Sequence, residues 1–194
     1  MNKSYSLFID TTQNYCNLAI LDDQNLIVNK LQILTHNNMT DVVIEKISEL
    51  LNPTNVDKKD IKNIYLLIGP GSFTGCRVGY IIAESFKSVN NCNILYTNSL
   101  LFQLPKGTGI SLIDAKSNKF FVAIYDQYKE ILSPKLIDAN ELDSIKKQYS
   151  NFEIYLDYQN IDVFKNLLAN INSAFIKLPN GEKIVPLYIK GFTN

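Results

Sequence analysis

The sequence predicts an α/β chain of two lobes, the second reduced relative to the first. Two observations carry this. Residues 5–97 read as strand, strand, strand, helix, strand, helix, strand, and residues 110–178 return to strands and helices in a shorter pattern. Between them lies Pro105-Lys106-Gly107-Thr108-Gly109, whose proline and glycines break regular structure. The expected division is 1–104, a first lobe carrying a glycine loop, and 105–194, a shortened second lobe.

Each element has a local reason. Tyr5–Thr11 is apolar enough for a central strand and runs into Asp10-Thr11-Thr12. Tyr15–Leu21 and Leu26–Leu34 carry apolar residues at strand spacing, and polar Asp22–Asn25 suits a hairpin turn between them. A helix is expected over Thr40–Leu51, with Thr40 as cap, Asp41 at the positive end of the dipole and Pro53 as stop. Ile61–Ile68 reads as a buried strand, Arg77–Val89 as a helix and Asn93–Thr97 as a strand; strand–helix–strand implies a parallel pair. Ile110–Asp114, Phe120–Tyr128, Phe152–Leu156 and Ala174–Leu178 read as strands of the second half. Glu141–Tyr149 and Ile161–Asn170 read as its helices.

Both helices of the first lobe are too apolar for a single contact. On the first, Met39, Val42, Val43, Ile44, Ile47, Leu50 and Leu51 cover an arc of roughly 200°, where one sheet contact needs a stripe a little over about 100° wide. On the second, Val78, Ile81, Ile82, Phe86 and Val89 form a similarly wide stripe. A second apolar neighbour is expected, either another helix of the same chain or a partner.

Composition narrows the function. Formal net charge is zero and the longest basic runs are pairs, Lys58-Lys59 and Lys146-Lys147, so the sequence offers no basic patch for gripping RNA alone. Cys16, Cys76 and Cys92 are odd in number and widely spaced, which fits a reducing, cytoplasmic compartment better than a disulfide framework. No apolar run is long enough for a signal peptide or a membrane span. Eighteen lysines stand against one arginine, Arg77, and Asn is abundant, a bias that empties many surface Lys and Asn residues of functional meaning.

Gly69-Pro70-Gly71-Ser72-Phe73-Thr74-Gly75 is the sharpest motif. Gly69, Gly71 and Gly75 let the chain turn tightly after a buried strand, and the following helix N-terminus favours anions. The run nevertheless fails the Walker A, dinucleotide and hydrolase-elbow templates, since Cys76-Arg77 follows Gly75 and Pro70 and Thr74 flank Ser72. A strand-to-helix turn without a ligand is the other reading. Arg77 falls in the first turn of the expected helix, where a cation opposes the dipole; one reading is a bidentate partner such as a carboxylate, on this chain or another, and the other is that a lone arginine must fall somewhere. Asp10-Thr11-Thr12 and Asp114-Ala115-Lys116 each end a strand, where actin-like ATPases place phosphate and metal contacts and where ordinary turns also occur. His36 is the single histidine and stands in a polar loop; no His/Cys cluster has metal-ligand spacing, and nothing beside His36 nominates a nucleophile.

Ile68-Gly69-Pro70-Gly71-Ser72-Phe73-Thr74-Gly75-Cys76-Arg77-Val78-Gly79 resembles the signature of the TsaB (YeaZ) family. Ser6–Thr12, His36 with the helix after it, Asp114-Ala115-Lys116 with Lys119–Tyr125, and Pro186-Leu187-Tyr188-Ile189 agree in order and spacing. Asn37 replaces a usual Ser, Lys116 a commoner Arg, and the second half is shorter than in typical members. The resemblance implies an actin/Hsp70-like (ribonuclease H-like) ATPase fold. It implies a subunit with no active site of its own, pairing with a TsaD-type transferase and a TsaE-type ATPase. Together these form N6-threonylcarbamoyladenosine at position 37 of tRNAs reading ANN codons. It further implies a homodimer when alone, tRNA contact only through the complex, no membrane, no metal and no required cofactor. Room is left for weak ATP or ADP binding at Asp10, Thr11, Thr12, Gly69, Gly71, Gly75 and Asp114. The partner face implied is the first two helices, through Val42, Val43, Ile47, Leu50, Arg77, Val78, Ile81, Ile82 and Phe86. The alternative is a small magnesium-dependent nucleotide hydrolase of the actin-like class.

Overall fold

The computed structural model describes residues 4–35 and 38–189. His36 lies outside the described residues. The chain separates into two compact units. One comprises residues 1–68, 72–97 and 175–186, the other 69–71, 98–174 and 187–194. The chain thus enters the second unit briefly at Gly69–Gly71, crosses to it again after Thr97, and returns to the first unit over residues 175–186.

The first unit is a six-stranded sheet in the order β10-β5-β4-β1-β2-β3. β1 (Tyr5–Asp10), β4 (Ile61–Leu67) and β5 (Asn93–Thr97) run parallel, and α2 (Phe73–Asn90) makes the crossover between β4 and β5. β2 (Tyr15–Leu21) and β3 (Ile27–Leu34) add an antiparallel hairpin to β1, turned at Asp22–Asn25, where Asp22 Oδ1 accepts from Gln24 N and Leu26 N. β10 (Ile176–Lys177) closes the other edge against β5. Ala174–Leu178 was expected in the second half; only two of its residues pair, and they extend the first sheet.

β1 and β2 are buried almost throughout, as central strands covered on both faces must be. β3 alternates half-buried and exposed, because α1 packs on one face of it and the other faces solvent. α1 (Met39–Leu51) contacts β2, β3 and α2, and its residues Val43, Ile47, Leu50 and Leu51 join Leu7, Ile9, Leu18 and Ile20 in the core. The second apolar neighbour of α1 is therefore α2 of the same chain. That accounts for much of the excess width of its stripe.

The second unit holds a four-stranded sheet, β8-β7-β6-β9. β6 (Gly109–Lys116) and β7 (Lys119–Asp126) pair antiparallel, β9 (Ile154–Leu156) joins β6 in parallel, and β8 (Lys129–Asp138) forms the edge. β8 was not expected as a separate strand. Its hairpin turns at Gln127 and Tyr128, both at positive φ, without the Asn-Gly or Gly that marks such turns in sequence. Pro134 sits in β8, where an edge strand tolerates a missing N–H. α4 (Leu142–Gln148) follows β8, and α5 (Val163–Asn170) contacts the short α3 (Ser99–Phe102). Buried Asn166 and Asn170 both donate to Phe102 O, and Asn170 also reaches Leu104 O at 3.2 Å. Gln103, wholly buried, donates to Ser111 Oγ (2.6 Å) and Leu112 O (3.0 Å) and accepts from Tyr158 N (3.1 Å). Asn166 and Asn170 thus satisfy carbonyls at and just past the end of α3, while Gln103 ties that end to β6 and Tyr158, needs hydrophobic periodicity does not display.

Candidate functional site

α2 begins earlier than its periodicity suggested. Ser72 is the cap, its hydroxyl accepting from Gly75 N at 3.1 Å, so Phe73-Thr74-Gly75 are already helical. Arg77 consequently lies beyond the first turn. The opposition to the dipole expected there is removed.

The start of α2 is pressed onto the end of β1. Ser72 N donates to Thr12 O at 2.7 Å, and Thr11 Oγ1 donates to Gly75 O at 2.7 Å. A Cβ at Gly75 would stand 1.8 Å from Thr11 O; one at Gly79 would stand 2.7 Å from Thr11 Oγ1 and 3.1 Å from Leu66 Cδ1. Gly75 and Gly79, one turn apart, thus form a smooth helix face that lets backbone meet backbone. The glycine of the motif serves close packing at this point.

Asp10 is fully buried beside this contact. Its Oδ1 accepts from Thr12 N (3.0 Å) and Thr12 Oγ1 (2.7 Å), and its Oδ2 accepts from Asn17 Nδ2 (3.0 Å). Asn17 Oδ1 in turn accepts from Gln32 Nε2 at 2.8 Å. Burial raises the Asp10 pKa above the ordinary value, and the three hydrogen bonds only partly oppose this. Burial, with the Asp10 charge as the next cause, also pushes the Cys16 and Cys76 thiols up to about 12. They are therefore thiols rather than nucleophiles at neutral pH.

A folded pKa raised above 3.8 means that the stability linked to Asp10 is fully present below the unfolded value. It is lost as pH rises through the folded one. Asp10→Asn, permanently uncharged, is expected to gain stability relative to the parent as pH increases. Its new amide N–H requires Asn17 and then Gln32 to turn their amides over. Urea midpoints of both proteins from about pH 4 to about pH 8 check this. A difference independent of pH would refute the assignment.

The other expected phosphate residues divide between the units. Gly69, at positive φ and followed by a cis bond to Pro70, accepts from Ser99 N through its carbonyl at 2.7 Å, and Gly69–Gly71 belong to the second unit. Asp114 also belongs to the second unit. It accepts from Lys116 N (2.7 Å) and Lys116 Nζ (3.0 Å), while its own N–H donates to Asp157 Oδ1 (2.8 Å). The Lys116 hydrogen bonds hold the Asp114 carboxyl below the usual range. In the first unit the residues do not fit a metal–phosphate group. Asp10, Thr11 and Thr12 are 0% exposed, and both Asp10 oxygens are engaged by the chain itself. No cluster of three metal-ligating side chains occurs among the described residues.

The helices divide into core and surface. Val43, Ile47, Leu50, Val78 and Ile82 were expected at a partner face, but they are buried in the chain's own core. Val42 is half-buried, and Phe86 is partly buried against that core. The large apolar side chains exposed on these helices are instead Ile44 on α1 (66%), Val89 near the end of α2 (83%), and Phe73 and Ile81 one above the other on α2 (55% and 60%). Arg77 is exposed on the same α2 face, its guanidinium 3.9 Å from the centre of the Phe73 ring. Phe73 lies ahead of the helix that periodicity predicts, within the glycine loop, so the wheel gives it no face. Ile44 lay inside the stripe, where a wheel does not separate exposed from covered.

A protein-family model described as "TsaD: tRNA N6-adenosine threonylcarbamoyltransferase" matches residues 34–181, more than half the chain. The MG208 homolog of Mycoplasma pneumoniae is 31% identical over 192 residues, covering 98% of this chain and 97% of that protein. The tRNA threonylcarbamoyladenosine biosynthesis protein TsaB of Buchnera aphidicola is 24% identical over 204 residues, covering 97% and 90%. The chain belongs to the TsaB (YeaZ) family. Its fold agrees: YeaZ from Pseudomonas aeruginosa superposes with a TM-score of 0.67 at 16% identity, over 96% of this chain and all of that one. The actin/Hsp70-like class expected from the sequence stands. No helix among the described residues is long and apolar enough to cross a membrane.

Proposed function

We propose that the chain is a non-catalytic TsaB-type subunit in tRNA threonylcarbamoyladenosine biosynthesis. It pairs with a TsaD-type transferase, and a TsaE-type ATPase joins the pair. The product is the modified adenosine at position 37 of tRNAs reading ANN codons, and tRNA is met only through the assembly. Alone, the chain forms a homodimer through the same surface.

The observation that carries this reading is family membership combined with the exposed Ile44, Phe73 and Ile81 on α1 and α2. Large apolar side chains left exposed on two adjoining helices favour a partner over solvent. The burial of Asp10 and its saturation by Thr12 and Asn17 support a role without nucleotide chemistry of its own. An Mg-ATP hydrolase of the actin-like class would need that carboxylate open to a hydrated metal.

The test is reconstitution. The transferase and ATPase of the same organism, with this chain, unmodified tRNA and threonylcarbamoyl donor, are expected to yield modified adenosine. Leaving this chain out is expected to reduce the yield to background. Equal yields with and without it would overturn the proposal.

A further inference from the structure

The exposed face of α2 has a charge pattern that complements itself. Phe73, Arg77, Ile81, Glu84 and Ser88 recur at helical spacing and share one face. Phe73, Arg77, Ile81 and Ser88 are exposed and Glu84 is partly exposed. Glu84 Oε1 is covered and meets no hydrogen-bond partner among the described residues. Oε1 is covered by the chain itself, so a partner would meet Glu84 through the part of the side chain that remains exposed.

Arg77 and Glu84 are placed symmetrically about the midpoint between Tyr80 and Ile81. Each is about 5 Å along the axis from that midpoint, at about 1.5 Å per residue. When two copies of α2 cross antiparallel at this midpoint, a two-fold axis sets Arg77 of each beside Glu84 of the other. Tyr80 and Ile81 then lie at the crossing. A crossing angle near 50° displaces each pair sideways by only about 4–5 Å, within reach of both side chains. A two-fold axis along the helices would instead pack them parallel and set Arg77 against Arg77 and Glu84 against Glu84, so the charge pattern favours the antiparallel crossing.

We propose that Arg77 and Glu84 form two symmetry-related ion pairs between copies of the chain, and that these pairs set the register of the homodimer. This rests on the reading of α1 and α2 as the assembly face, and adds to it which residues fix how two copies meet. The occupant is a second copy because one helix carries both halves of the pair. The Phe73 ring beneath the guanidinium holds the cation on the face where it is needed.

A charge exchange tests it. Arg77→Glu and Glu84→Arg each place like charges opposite one another twice per dimer. Each is expected to weaken self-association roughly tenfold or more in sedimentation equilibrium. The double variant R77E/E84R restores opposite charges in reversed order and is expected to return within about threefold of the parent. Both positions lie on the surface, so circular dichroism should show all three variants folded. Dimers unaffected by the single changes, a double variant as weak as either single, or a parent chain that stays monomeric would each overturn the register. Those outcomes leave the transferase reading untouched, because mixed assembly is measured separately with Ile81→Glu.

Discussion

Gly75→Ala is expected to be the most damaging single-methyl change in the chain. The added Cβ would fall 1.8 Å from Thr11 O and 3.0 Å from Thr11 C, and both atoms are backbone of a buried strand end. Neither can rotate away. Thr11 is further held by its hydroxyl on Gly75 O and by the neighbouring Ser72 N to Thr12 O bond. Relief requires α2 to lift from β1, opening the packing of Gly79 against Leu66 as well. Overpacking a rigid core costs typically about 1–3 kcal/mol, and a backbone clash at both ends of a hydrogen-bonded contact belongs at or above the top of that range. Urea unfolding of parent and variant checks this; a loss below about 1 kcal/mol would contradict the close-packing role. A loop glycine serving only a phosphate would tolerate alanine in the free protein.

Ile82→Glu and Ile81→Glu, neighbours in sequence, are expected to fail in opposite ways. Ile82 is 7% exposed and packs with Val43, Ile47 and Leu66 in the core. A carboxylate there loses its hydration without a partner, and an uncompensated buried charge costs about 3–5 kcal/mol. The expected result is a chain largely unfolded in buffer, or one whose urea midpoint collapses. Ile81 is 60% exposed, so the same substitution leaves the fold within about 0.5 kcal/mol of the parent. Its effect is on assembly, where the new charge must be desolvated against a partner. If Ile81→Glu unfolds the chain, or Ile82→Glu does not, the division of α2 into core and surface is wrong.

The sequence displayed the order of the elements because its strands and long helices are strongly patterned. The strands β1 to β6 and helices α1 and α2 fall near their expected ranges. The start of α2 was misplaced because the Ser72 cap is local hydrogen bonding that apolar periodicity does not register. β8 was missed because its hairpin turn uses Gln127 and Tyr128, residues with no turn signature. The wheel of α1 showed a need for two apolar neighbours but not which one was internal. Hence Val43, Ile47 and Leu50 were expected at a surface, although α2 and the sheet cover them. Asp10 was visible as a candidate, but its partners were not. Asn17 and Gln32 reach it across β2 and β3 through strand register, which the sequence leaves open. The functional class was legible chiefly because the run from Ile68 to Gly79 carries so specific a resemblance.

The most direct measurement is light-scattering mass on a sizing column, with the parent and Ile81→Glu each run alone and mixed with the TsaD-type transferase of the same organism. The parent is expected as a dimer that gives way to a mixed complex. Ile81→Glu is expected as a folded monomer that forms no mixed complex. A parent chain indifferent to the transferase, or an Ile81→Glu chain that assembles as the parent does, would contradict the partner-subunit account.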